Sequence, residues 1–239
     1  MRAAFLEAEA LGADALYTWD HFFPLYGDSS GTHFEGASIP AMLAAITTRP
    51  TIGLLVGCNS YRNPELMADI HRTVDQISGG RAILGIGAGW FARDYDEYGY
   101  EFGTAADRLR ALGDALPRIE ARLGKLNPPP VQDPLPIMIG GAGPKVTLKL
   151  VARHAHWWHA FGEPDVYREK SAILAEHCER EGRDPATIRR AWGMHHGLFD
   201  HLDEFAELDV DQLILGIGGD GGSYDLDPLR EILAWRDGR

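Results

Sequence analysis

His21 is the residue of this chain best suited to proton chemistry. It follows an apolar stretch at residues 15–20, which we predict to be a β-strand. Enzymes built on parallel strands place catalytic side chains at the carboxyl ends of those strands. A histidine has an ordinary pKa near physiological pH, so it can give or take a proton during a reaction. The alternative is a loop histidine that is merely solvated.

The glycine-rich sequence GGAGPK at residues 140–145 is a candidate anion site. It lies between a predicted strand at 137–139 and a predicted helix at 144–152. Free backbone amides at such a turn, together with the helix dipole, favour a bound anion such as phosphate. A turn without any ligand is the alternative, and residues 215–222 form a rival loop, since many barrels bind phosphate after their last strands.

Three glycines alternate along the apolar segment that ends at Trp90. On a strand, Gly85, Gly87 and Gly89 would leave one face without side chains. That face either relieves crowding inside the protein or makes room for a bound ring. Trp90 itself would wall such a pocket or pack in the core.

Histidine and cysteine spacing does not predict a metal site. His156 and His159 would face opposite sides of a strand, which cannot close a ligand shell. Cys58 and Cys178 lie far apart and show no CxxC spacing, which argues against both a zinc site and a disulfide framework.

The candidate residues lie within a regular alternation of predicted strands and helices. The predicted strands are 15–20, 51–58, 82–86, 137–139, 156–161, 188–199 and 212–217. The predicted helices are 1–11, 40–48, 64–77, 105–123, 144–152, 166–180 and 229–235, with Pro117 expected to kink or divide the longest. Such alternation indicates an α/β fold with a parallel sheet, either closed into a barrel or open and doubly wound.

Composition narrows the class of protein. The 239 residues are 45% hydrophobic, which allows either one large α/β domain or two small ones. Because the alternation of strands and helices never breaks, we predict a single domain over residues 1–239. The net charge of −12 argues against nucleic acid as a partner. No segment has the ~20 apolar residues of a membrane span. The first residues lack the pattern of an export signal. We therefore expect a cytoplasmic protein.

Motifs in order along the chain resemble those of one family. They are WDH at 19–21, YRNP at 61–64, ISGGR at 77–81 before GIGAGW at 85–90, and IGGAG at 139–143. Together they resemble the luciferase-like superfamily, and most closely its branch that uses coenzyme F420, a deazaflavin. The resemblance implies a TIM (β/α)₈-type barrel with a flavin-like ring at the carboxyl ends of its strands.

The activity implied is hydride transfer between F420 and an organic substrate of unknown identity. An FMN-dependent monooxygenase of the same fold is one alternative, and a barrel that binds a cofactor without catalysing a reaction is another. Besides a small-molecule substrate, the further partner considered is a second copy of the chain in a homodimer. The substrate would be recognised by the loops at 22–38 and 91–104.

The resemblance also implies roles for particular residues. His21 would act as acid or base beside the ring, and Asp20 would lie near the ring edge and orient His21. A non-proline cis peptide is expected at Leu54–Leu55 or Leu55–Val56, and the loop at 140–145 would hold a phosphate of the cofactor. The implied cofactor-binding residues are Asp20, Leu54, Leu55, Val56, Gly87, Ala88, Gly89, Trp90, Gly141, Ala142 and Gly143.

The chain departs from the family pattern at its start. It begins with a helix and offers seven predicted strands, so the barrel would lack its first strand. That absence would leave the edges of the strands at 15–20 and 212–217 unpaired. We expect a gap about one strand wide between them, filled by an upstream segment in the complete protein.

Overall fold

The computed structural model describes residues 1–208, 210–219 and 223–239. The strands are β1 (Ala15–Thr18), β2 (Thr51–Leu54), β3 (Gly57–Cys58), β4 (Ala82–Gly87), β5 (Ile137–Gly140), β6 (Trp157–Phe161), β7 (Arg189–Met194) and β8 (Gln212–Leu215). The α-helices are α1 (Arg2–Leu11), α2 (Ile39–Ile46), α3 (Pro64–Ser78), α4 (Ala92–Tyr98), α5 (Ala105–Leu123), α6 (Thr147–His154), α7 (Pro164–Arg180), α8 (Leu202–Glu207) and α9 (Asp227–Asp237). The predicted α/β alternation is confirmed.

The chain forms two compact units. The central unit is Ala15–Met138, and the terminal unit consists of Met1–Asp14 together with Ile139–Arg239. The prediction of one domain over the whole chain stays a prediction. The expected gap beside β1 and β8 also stays a prediction, because these strands belong to different units.

In the central unit, β1, β2 and β4 are parallel. Ala15 of β1 pairs with Thr51 of β2, and Ile52 of β2 pairs with Ala82 of β4. β4 is buried along its whole length, as expected for a parallel strand covered on both faces. β3 also pairs with β4 in parallel. The segments that follow β1, β3 and β4 therefore leave the same edge of the sheet.

The predicted strand at 51–58 is divided into β2 and β3 by Leu55 and Val56, and the peptide bond between these two residues is cis. The predicted non-proline cis peptide is thus confirmed at the second of its two candidate positions. Beside it, a Cβ on Gly85 would lie 1.9 Å from the carbonyl oxygen of Leu54. The close approach of the two backbones requires glycine there, which supports relief of crowding at Gly85.

The start of α3 is fixed by its cap. The Asn63 side chain accepts a hydrogen bond from the Leu66 amide at 3.1 Å, and Pro64 occupies the first helical position. Asn59–Tyr61 forms a short 3₁₀ helix between β3 and this cap, and Arg62 follows it. Tyr61 and Arg62 are thereby held at the sheet edge where His21 emerges from β1.

His71 on the buried face of α3 predicts an acid-sensitive stability. Burial lowers its pKa to about 4, while Nδ1 contacts the Met67 carbonyl oxygen at 2.9 Å. The unfolded chain protonates near pH 6.5, so acidification from 6.5 towards 4 favours unfolding. Between pH 7 and 4.5 this histidine should remove about 2 kcal/mol from the free energy of unfolding. Urea titrations of His71→Leu should show a smaller loss over this range, and an unchanged loss would exclude His71 as the cause.

In the terminal unit, β6, β7 and β8 are parallel. Trp157 pairs with Arg189, and Ala191 pairs with Gln212. Trp158 and Trp192 are fully buried and meet edge to face, with ring centroids 5.5 Å apart. In the described part of the chain, no helix combines the length and apolar character needed to cross a membrane.

Three predicted elements need correction. Pro117 does not divide α5, which is one helix with Leu116 and Ile119 among its buried residues. Packing of α5 on α3 compensates for the hydrogen bond that proline cannot donate. The alternative that Pro117 kinks the helix stays a prediction. The strand predicted at 188–199 ends at Met194, because Phe161 and Leu215 are the last residues of its neighbours in the ladders. His195 and the 3₁₀ helix His196–His201 therefore lie outside it. α6 begins at Thr147, after a turn, and not at 144.

Candidate active site

His21 is paired with a buried carboxylate. Its Nδ1 lies 2.7 Å from Oδ2 of Asp94, and the side chains are 13% and 0% exposed respectively. Asp94 lies in the first turn of α4. A carboxylate at this position accepts the Nδ1 proton and fixes the tautomer and the direction of the ring. The arrangement leaves Nε2 as the nitrogen for proton exchange with a ligand.

Asp94 also connects His21 to the rest of this edge. Its Oδ1 accepts a hydrogen bond from the Phe22 amide at 3.2 Å, and its Oδ2 accepts one from the Tyr61 hydroxyl at 2.9 Å. Burial raises the pKa of Tyr61, and the hydrogen bond to Asp94 and the negative charge of that carboxylate raise it further. Tyr61 therefore remains a hydrogen-bond donor, and it helps to compensate the buried Asp94 charge.

Asp20 occupies a different network from the one predicted. Its oxygens accept two hydrogen bonds from Arg62, at 2.6 and 2.8 Å, and one from the Cys58 amide at 2.7 Å. Burial alone would lower the pKa of Arg62, but Asp20 and Glu35 outweigh it and raise that pKa. The prediction that Asp20 orients His21 is wrong, since Asp94 does so. Asp20 instead fixes the end of β1 to the segment after β3.

The end of β4 is packed against protein atoms. A Cβ on Gly89 would lie 2.1 Å from the Tyr95 hydroxyl and 2.6 Å from the Cys58 sulfur. Burial raises the pKa of the Cys58 thiol, which stays protonated beside Tyr95 at 3.2 Å. Gly89, like Gly85, therefore relieves crowding. The cofactor contacts expected of Leu54 through Val56 and of Gly87 through Trp90 stay predictions.

Trp90 follows this packed turn and is 63% exposed. Its ring meets the His21 ring edge to face, with centroids 5.8 Å apart. The alternative that Trp90 packs in the core is therefore wrong. An exposed indole beside a histidine suits contact with a ligand.

Asn59 supplies an acceptor that the sequence analysis did not identify. Its Oδ1 is buried and has no hydrogen-bond partner in the part of the chain that the structure describes. Buried amide oxygens are normally paired. A ring N–H of a deazaflavin or a flavin has the chemistry to complete this one.

The glycine loop of the terminal unit is held by neighbouring strands. The Gly141 amide donates to the His159 carbonyl oxygen at 2.8 Å, and the Trp158 indole donates to the Gly141 carbonyl oxygen at 2.9 Å. Gly141 thus has no amide to offer an anion. Ala142, which is half-buried, and Gly143, which is exposed, follow it before the turn at 144–146. Phosphate binding at this loop stays a prediction. Residues 220–222 of the rival loop lie outside the described residues.

Sequence reasoning missed most of the network around His21. Tyr61 and Arg62 belong to a motif used for the family resemblance, but they received no role. Asp94 lay in a segment treated as a variable loop. The sequence did contain a signal for Tyr61 and Arg62. The YRNP motif comes directly before a capped helix, and the carboxyl ends of parallel strands meet at one edge of the sheet, so these two residues could have been placed near His21.

Comparison with known proteins agrees with the fold. The family model described as luciferase-like monooxygenase matches residues 1–218. An F420-dependent glucose-6-phosphate dehydrogenase of Kineococcus radiotolerans is 30% identical over 209 residues, covering 77% of this chain and 60% of the relative. The chain spans less than two thirds of the length of the curated relatives it matches.

Two solved structures illustrate the range of cofactors. An F420-dependent secondary alcohol dehydrogenase in complex with an F420-acetone adduct has a TM-score of 0.72 at 20% identity, covering 81% of this chain and 63% of its own. A type II Baeyer-Villiger monooxygenase of Pseudomonas putida, in complex with FMN, has a TM-score of 0.63 at 15% identity, covering 81% and 60%. The neighbours are TIM-barrel enzymes, which confirms the predicted barrel-type α/β fold.

Proposed function

Because the chain belongs to the luciferase-like monooxygenase family, we propose that it is an oxidoreductase that exchanges a hydride between coenzyme F420 and an organic substrate. The observation that carries the proposal is the His21–Asp94 pair at 2.7 Å. The Kineococcus relative and the secondary alcohol dehydrogenase, both named as F420-dependent, support the choice of cofactor.

The residues present fit a deazaflavin ring. Asn59 offers a buried, unpaired acceptor, and Trp90 offers an exposed aromatic face beside His21. A separate proposal concerns the terminal unit, in which the amides of Ala142 and Gly143 would hold a phosphate. When bound, a deazaflavin would accept a hydride from the substrate or donate one to it, and each transfer moves two electrons.

His21 handles the proton that accompanies the hydride. During oxidation of a carbinol, Nε2 of His21 takes the hydroxyl proton, and during reduction of a carbonyl it returns that proton to the oxygen. Asp94 holds the ring for this transfer and stabilises the imidazolium that forms, as a carboxylate does in other histidine pairs. His21 is the catalytic residue and Asp94 is a positioning residue.

Replacing Asp94 with asparagine should lower turnover about 10- to 100-fold. The amide keeps the shape of the side chain but can donate to Nδ1 and so stabilise the other tautomer. Cofactor affinity should stay unchanged. The ¹⁵N shifts of His21 report the tautomer directly, and retention of the Nδ1–H form together with full turnover would exclude the positioning role.

Ala142→Asp should weaken F420 binding by about 10-fold or more, because it places negative charge where a phosphate is expected. Ala142 is the suitable site, since a Cβ on Gly143 would lie 2.8 Å from Oγ1 of Thr147. The matched control is Ala142→Asn, which adds the same bulk without charge. Equal affinities for the two variants would move the phosphate away from this loop.

An FMN-dependent monooxygenase is the second candidate, favoured by the FMN-bound structural neighbour. Transfer of deuterium from a carbinol labelled at carbon to F420 supports the first proposal. Incorporation of ¹⁸O from labelled oxygen in the presence of reduced FMN supports the second. A protein that does neither with either cofactor would be a barrel without catalytic function.

A further inference from the structure

Aromatic side chains surround His21 in the central unit. The rings of Trp90 and Phe91 meet its imidazole edge to face at 5.8 and 5.4 Å. Trp90 and Phe91 also contact each other, at 5.4 Å between centroids. The His21 ring therefore lies against two aromatic side chains as well as the Asp94 carboxylate.

Further aromatic side chains lie at the end of β1, in the loop after it and on α4. Phe22 stacks on Tyr98 at 3.9 Å, and Trp19 meets Tyr26 edge to face at 5.8 Å. Three of these rings remain exposed, with 38% for Trp19, 78% for Tyr26 and 56% for Tyr98. We call Trp19, Tyr26, Trp90 and Tyr98 the aromatic surface. Exposed aromatic side chains on the segments that flank His21 make this a candidate binding surface.

The charges in the same segments disfavour an anionic ligand. Residues 19–38 and 88–104, all of them described, contain seven carboxyl groups and a single basic side chain apart from histidine, Arg93. Arg93 donates to the Ser29 carbonyl oxygen at 2.8 Å, lies 3.6 Å from Glu97 and covers the Phe23 ring at 3.9 Å.

Two further arginines near these segments are also engaged. Arg108 donates to the carbonyl oxygens of Gly89 and Phe102, at 3.1 and 2.9 Å. Arg62 binds Asp20 through two hydrogen bonds and Glu35 through a third, at 2.5 Å. A phosphate or carboxylate group brought beside His21 would meet acidic segments whose arginines already have partners. Such a group would be repelled and would gain no compensating ion pair.

Resting on the proposed function, we infer that the substrate at His21 is an uncharged carbonyl or carbinol compound with an apolar body of ring size or larger, held against the aromatic surface. A phosphorylated sugar, which the name of the Kineococcus relative specifies, does not fit these segments.

Ligand-observed saturation-transfer NMR on the full chain tests this without any turnover. The probes are cyclohexanone and 4-phenylbutan-2-ol against glucose 6-phosphate, each with and without F420. We expect saturation transfer to the two apolar probes only, and a loss of binding of about 10-fold in Trp90→Ala. The control is Ile77→Ala. Ile77 is 49% exposed, compared with 63% for Trp90, but it lies before β4, whereas Trp90 lies after it. The Ile77→Ala variant should bind the apolar probes as the wild type does.

The outcomes separate this inference from the proposed function. Binding of glucose 6-phosphate in preference to the apolar probes, or equal losses in Trp90→Ala and Ile77→Ala, would overturn the inference. Reduction of F420 with the phosphorylated sugar would overturn it too, while upholding hydride transfer. Binding of the apolar probes together with failure to bind F420 would support the aromatic surface as a binding site and contradict the proposed cofactor.

Discussion

His21→Ala should lower turnover by about 100-fold or more while leaving F420 affinity nearly unchanged. The variant keeps the sheet edge and the aromatic rings but loses the nitrogen that takes the substrate proton. Hydride transfer must then release that proton to water. Steady-state rates and a separate F420 titration distinguish loss of chemistry from loss of binding.

Two controls make this result specific. Added imidazole should restore part of the rate in His21→Ala, because it can occupy the vacated space as a proton acceptor. His201→Ala removes a histidine of the terminal unit that pairs with Glu204, and its turnover should match wild type. Full turnover in His21→Ala would remove His21 from the mechanism.

Arg62→Met should reduce the free energy of unfolding by about 3–5 kcal/mol. Arg62 is 11% exposed and compensates Asp20, whose side chain is 0% exposed. Removal of the arginine leaves a buried carboxylate with the Cys58 amide as its remaining described partner. Urea unfolding measures the change.

The chain offers a matched comparison for this variant. Arg118 forms an equally bidentate pair with Glu65, at 2.8 and 2.6 Å, but both side chains are exposed. Arg118→Met should therefore cost at most about 1 kcal/mol. The double variant Arg62→Met with Asp20→Asn should recover part of the loss, since no buried charge is left unpaired. Similar losses for Arg62→Met and Arg118→Met would show that burial of the Asp20 pair contributes little.

The sequence predicted elements better than it predicted partners. Apolar runs such as that of β4 and caps such as Asn63 act locally, so the alternation of strands and helices was predictable. The end of β7 was not, because it depends on where β6 and β8 stop. The fold class followed from the alternation, whereas the cis bond could be placed only to within one residue by resemblance.

In the candidate site, too, the residue identified by its local sequence was predictable, and its partner in the fold was not. His21 was identifiable from its type and from its place after a strand. Asp94 was not, because it is one of several carboxyl groups in residues 92–101, and only folding decides which of them is buried against the imidazole. Assigning Asp20 to His21 was wrong for the same reason. Adjacent residues point in different directions at the end of a strand, and Asp20 turns to Arg62.

The central claim is that this chain uses a deazaflavin, and a fluorescence titration tests it most directly. The purified protein is titrated into F420, FMN and FAD in parallel, and quenching of each cofactor is followed. We expect saturable quenching of F420, weakened in Ala142→Asp and retained in His21→Ala. Saturable quenching of FMN with none of F420 would contradict the claim.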